Sequence, residues 1–188
     1  MNLNTDLYQL EDVEEETLKY IFISQGKEVI VKAIEYQHVQ PLRNYQIYNL
    51  AFGNYDIEKD EIIDNVVSNN DDGRKVFNTV LSSIPLFFGN YSDRILMVRG
   101  SDGTKEFLQI CQEACDKCEE GNCRKFNQRL RIYTNYIDAN YDALIKQYKF
   151  YGGIEDENNN INLVDYNSTE KHLYNIVYVI KNKSNENK

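Results

Sequence analysis

The sequence predicts one α+β domain, a largely antiparallel sheet with helices packed mainly on one face. The first third alternates short apolar runs with short polar turns, and the middle then switches to helical spacing. Neither an internal repeat nor a linker long enough to separate domains interrupts the chain. The domain is expected to span residues 1–181, with 182–188 as a disordered tail.

Along the chain, Glu11 to Glu16 forms an acidic lead-in. Tyr20-Ile21-Phe22-Ile23 and Val29-Ile30-Val31 flank Ser24-Gln25-Gly26-Lys27 and read as a β-hairpin, the second strand running on through Ala33, Ile34 and Tyr36. Tyr45 to Phe52 is a third strand expected to end at Gly53, and Ile62 to Val67 a fourth after the turn Glu58-Lys59-Asp60. Such short connections require antiparallel neighbours. Val76, Phe77, Val80, Leu81 and Ile84 then make one helical stripe, with Asp71 or Asp72 placed to cap it and Pro85 expected to end or kink it. Ile95-Leu96-Met97-Val98 suits a buried strand. A helix follows from Lys105 to Cys118, then one or two more between Arg124 and Tyr148, broken near Asp138-Ala139-Asn140. Phe150 to Gly153 and Leu173 to Lys181 read as strands, separated by a polar loop at Glu155 to Asn160.

Composition narrows the function classes. The 188 residues are 41% hydrophobic and 12% aromatic, enough for a packed core. A net charge of −9 disfavours nonspecific binding to a phosphate backbone, so nucleic acid is not an expected partner. The basic run at Arg124, Lys125, Arg129 and Arg131 reads as the solvated side of a helix. Met1 to Leu10 has no basic region followed by an apolar run, and no stretch approaches the roughly 20 apolar residues of a membrane helix. The expected setting is cytoplasmic, away from membranes, with reduced thiols.

The densest chemistry is a cysteine cluster: Cys111, Cys115, Cys118 and Cys123, spaced Cys-x3-Cys-x2-Cys-x4-Cys. Three would share one helical face, and the turn Glu119-Glu120-Gly121-Asn122 would bring the fourth back, a set able to hold one structural zinc. Buried thiols acting as small hydrophobes, and a redox pair or disulfide, are the alternatives.

Two strand-to-helix loops form a second candidate. Asn69, Asn70, Asp72, Gly73, Arg74 and Lys75 make one, and Arg99, Ser101 and Asp102 the other. Helix N-termini offer unpaired N–H groups to anions, and Arg99 adds a bidentate donor, while the aspartates read equally well as caps. Familiar catalytic sets are missing: His38 and His172 are the only histidines, and no P-loop, dinucleotide fingerprint or His-Glu-x-x-His occurs.

Tyr48-Asn49-Leu50-Ala51-Phe52-Gly53, Ser68-Asn69-Asn70 with Asp72, Lys75-Val76 with Thr79-Val80, and Arg99-Gly100-Ser101-Asp102 together resemble a family of small bacterial proteins, a domain of unknown function. The architecture is also similar to acyltransferases of the GNAT type. That resemblance implies a cradle for the pyrophosphate of acetyl-CoA at Asn70-Asp71-Asp72-Gly73-Arg74-Lys75, with charge from Arg74 and Lys75. The function expected from the residues is an intracellular protein-binding module, working with a protein partner or by self-association, in a setting such as bacterial defence or a toxin–antitoxin pair. A GNAT-like acyltransferase, or a degenerate relative of one, is the alternative.

Overall fold

The computed structural model describes residues 6–12, 18–42, 45–63, 69–114, 118–119, 122–123, 125–158 and 160–183. The chain is α+β and divides into two compact units, 1–94 and 95–188. Within each unit the strand pairs below are antiparallel.

In the first unit, β1 (Glu11–Asp12), β2 (Lys19–Gln25), β3 (Val29–Leu42) and β4 (Tyr45–Asp56) lie in that order, with β5 (Glu61–Ile63) paired to β4. The strand expected to stop at Gly53 continues to Asp56. Gly53 serves a close approach instead: a Cβ there would lie 2.4 Å from the Ile63 carbonyl oxygen. Of the fourth predicted strand, Ile62 and Ile63 are in β5, and 64–67 lie outside the described residues.

Helix α1 (Gly73–Asn90) continues past Pro85, so the proline does not end it. A proline inside a helix forfeits one hydrogen bond and crowds the preceding turn. The aromatic residues just beyond it hold the helix on the sheet. Phe87 and Phe88 are fully buried, Phe87 stacks on Tyr36 at 4.5 Å between ring centroids, and it meets Tyr48 edge-on. The Tyr36 and Ser83 hydroxyls share a hydrogen bond of 2.6 Å beneath the same helix. Tyr20, Phe22, Ile34 and Leu50 complete this core.

The second unit orders β6 (Ile95–Val98), β11 (Ile176–Lys181), β9 (Tyr148–Glu155) and β10 (Ile161–Asp165). Before β9 come α2 (Lys105–Ala114), a hairpin of β7 (Cys118–Glu119) and β8 (Asn122–Cys123), α3 (Gln128–Ala139) and the one-turn α4 (Tyr141–Leu144). Of the helix predicted to Cys118, α2 covers Lys105–Ala114, 115–117 lie outside the described residues, and Cys118 belongs to a strand. The sequence pattern contained no sign of β10, because its side chains are half-exposed or exposed and follow no apolar alternation. Leu96, Leu130, Tyr174 and Val177 are fully buried. Among the described residues, no helix is long and apolar enough to cross a membrane.

Candidate functional site

The loop before α1 is densely hydrogen-bonded. Asn69 and Asp71 take left-handed backbone conformations, with φ of 47° and 58°, which asparagine and aspartate tolerate better than most residues. They bracket Asn70, which is buried and faces the turn of the β2–β3 hairpin. Its Oδ1 accepts the Glu28 N–H at 2.8 Å, while Nδ2 donates to Ser24 Oγ at 2.9 Å and to the Glu28 carbonyl at 3.0 Å. The Asn70 backbone carbonyl also takes the Lys27 N–H, and a Cβ on Gly26 would sit 1.7 Å from that oxygen. Only glycine fits there.

Asp72 stands at the N-cap of α1 but forms no side-chain cap hydrogen bond. Its Oδ2 instead accepts the Ser24 hydroxyl at 2.5 Å and the Tyr8 hydroxyl at 2.8 Å. Tyr8 is fixed further by the Gln25 N–H and by its own N–H, which donates to Thr79 Oγ1. Its phenol titrates above the usual tyrosine range, chiefly because burial disfavours the phenolate and also because Asp72 accepts its proton. The Lys75 ammonium lies 4.2 Å from the Tyr8 ring centroid and pairs with Asp6 at 3.0 Å, which raises its pKa. Ser24 is completely buried, whereas Asp72 is half-buried. This network fastens the hairpin, the N-terminal segment and α1 together.

Residues 4–109, which contain this network, match the sequence model of the Family of unknown function (DUF6934). The chain belongs to this family. No curated protein and no solved structure matches it. Within the DUF6934 segment, Asn70, Asp72 and Lys75 are thus engaged in internal contacts, whereas Asn69, Gly73 and Arg74 are exposed. A Cβ on Gly73 would meet nothing within 4 Å, so no close contact demands glycine there.

The opposite face of the hairpin is mixed, with exposed Gln25 beside aliphatic residues and Ala33 fully buried. Ile23 lies across from Val31, and Ile21 from Ala33, while Val29 follows at the end of the same face. Ile23 is 46% exposed and Val29 74%, whereas Ser24, on the α1 side, is fully buried. Sequence reasoning could not assign these faces, because Tyr20-Ile21-Phe22-Ile23 is apolar on both. Lys19 and Glu35 close the other end in register, and Lys19 also pairs with Asp60 at 2.6 Å. That contact raises the Lys19 pKa and lowers that of Asp60.

In the second unit of this DUF6934 chain, Arg99 Nη2 pairs with Glu155 Oε2 at 3.2 Å, which engages a guanidinium expected to meet anions. Ser101 is exposed. Asp102 is buried. Its Oδ2 accepts the Arg129 N–H at 2.9 Å, and its carbonyl accepts the Asn127 N–H at 2.8 Å. Asp102 Oδ1 and Asn127 Oδ1 are buried without a hydrogen-bond partner among the described residues. Of the predicted metal ligands, Cys111 and Cys123 are buried with their Sγ atoms 3.0 Å apart. Cys118 stands opposite Cys123 in register, and Cys115 lies outside the described residues. The expected three-thiol helical face is not formed, because Cys118 is in β7 and not on a helix. Of the two histidines, His38 contacts Gln46 and packs edge-on against Tyr48, whereas His172 falls in a single 3-10 turn.

Proposed function

We propose that this chain is a protein-interaction module, not an enzyme, and that it binds a second copy of itself through the outer face of the β2–β3 hairpin. The observation that carries the reading is the inverted burial on β2, where a serine is buried and the neighbouring Ile23 is turned outward beside Val29. Water-facing aliphatic groups cost free energy that a partner surface removes, at roughly 25 cal/mol per Å² covered. A second copy is the favoured occupant because the charges described at the Lys19 end of the face are matched within the chain. Lys19 is paired with Asp60 and faces Glu35, so that end meets a like face without a lone cation. The polar residues of the DUF6934 segment support the same reading, since Ser24, Asn70 and Asp72 are used in fixing the hairpin against α1.

Light scattering on the full chain after size exclusion, over a series of micromolar concentrations, tests this. The wild type is expected to shift toward twice the chain mass as concentration rises. The Ile23→Lys, Val29→Lys double variant is expected to stay monomeric with an unchanged melting temperature. A wild type that is monomeric throughout would sink the proposal, and so would a variant that still dimerises.

A further inference from the structure

We infer that Cys111 and Cys123 are a modification site, where a small peroxide closes a disulfide that ties the β7–β8 ribbon to α2. The two thiols come from separate elements, Cys111 from α2 and Cys123 from β8, and both are buried. Their sulfurs lie 3.0 Å apart. That is closer than the roughly 3.5–4.0 Å of ordinary nonbonded contact between heavy atoms. The roughly 2.05 Å of a disulfide is then a small side-chain movement away.

Burial selects both the oxidant and the product. Each cysteine is 8% exposed, which keeps a bulky disulfide reagent off, whereas hydrogen peroxide is little larger than water. One sulfur attacks the peroxide O–O bond, which gives a sulfenic acid and one water. The partner sulfur then attacks the sulfenic sulfur, the S–O bond breaks, and a second water leaves. Together the two thiols lose two electrons, and the peroxide is reduced to two waters. The second step outruns further oxygenation to a sulfinic acid, because the partner thiol is already in place and the closure is unimolecular. The ribbon is the element that such a bond fixes. Each of its strands is two residues long, and an isolated two-stranded ribbon is marginal in water. Both cysteines lie beyond residues 4–109, so this site stands independently of the interaction face.

Intact-mass spectrometry of the full chain, purified with reductant, desalted and treated with equimolar hydrogen peroxide, is the test. The product is expected to be lighter by two hydrogens, with Cys111 joined to Cys123 when an acidic peptic digest is fragmented. The loss of two hydrogens should persist in the Cys115→Ser, Cys118→Ser double variant and disappear in Cys111→Ser and in Cys123→Ser. Because such variants can misfold, the wild type in urea provides a second readout. Without the fold to select the pair, the same treatment should spread the bond among the four cysteines. A folded chain that keeps its mass and four alkylatable thiols would overturn the inference, as would a bond joining any other two cysteines. A folded chain that gains oxygen without losing hydrogen would overturn it too, since the pair then does not close.

Discussion

Replacing Asn70 with alanine removes three side-chain hydrogen bonds at once, and their surroundings set the cost. The bond from Nδ2 to Ser24 Oγ is wholly buried, so its loss leaves Ser24 short of a donor where water does not enter. A stranded buried polar group of this kind costs about 1–3 kcal/mol. The two bonds to the Glu28 backbone lie at the exposed hairpin turn, where solvent replaces them, so each contributes about 0.5 kcal/mol. Together the Asn70→Ala change should destabilise the fold by about 2–4 kcal/mol. Asn70→Asp should do at least as much at neutral pH, because a second carboxylate joins Asp72 on the Ser24 hydroxyl, and should recover partly in acid as the new carboxyl protonates. Urea unfolding followed by circular dichroism measures both. A loss below about 0.5 kcal/mol for Asn70→Ala, the level of an ordinary surface change, would refute the view that this loop is a structural fastening.

Two further outcomes follow from packing and titration. Gly152 in β9 lies under the buried Tyr174, whose ring atoms would stand 2.3–2.5 Å from an added Cβ, so Gly152→Ala should cost about 1–3 kcal/mol in a thermal melt. Burial raises the pKa of Tyr20, Tyr133, Tyr136, Tyr148, Tyr166 and Tyr178, with the Asp138 hydrogen bond adding to the rise at Tyr166. The unfolded chain, whose tyrosines titrate near the ordinary value of about 10, therefore ionises first. The stability these phenols provide is full below that pH and is lost as pH rises through their folded values. Denaturant midpoints across the alkaline range should fall in step with tyrosinate absorbance, and a flat profile above pH ~10 would contradict the assignment.

Much of the fold was legible in the sequence because its signals are local. The hairpin, the stripe from Val76 to Ile84 and the break near Asn140 each announce themselves within a dozen residues. Where the reading failed, a tertiary contact had overruled a local rule. Pro85 is tolerated because Phe87 and Phe88 are buried against the sheet, and Gly53 continues a strand that pairs with β5, whose Ile63 carbonyl passes close to it. The candidate loop was found by residue type, but its role was not. Asp72 looked like a helix cap and is instead a partner for Ser24 and Tyr8, one of them 64 residues away in sequence. No local pattern marks Tyr8 for that contact. The outward face of β2 was equally hidden, since four consecutive apolar residues carry no alternation to read.

Photocrosslinking tests the interaction face most directly. A benzophenone amino acid placed at Val29, the most exposed aliphatic residue of the hairpin face, should yield a covalent dimer of the full chain on irradiation. The same group at Ile57, 67% exposed on the turn after β4, serves as the control and should yield little. A dimer band from position 29 that exceeds the control and vanishes with Ile23→Lys is the expected result. Equal yields from the two positions, or none from position 29, would contradict the account.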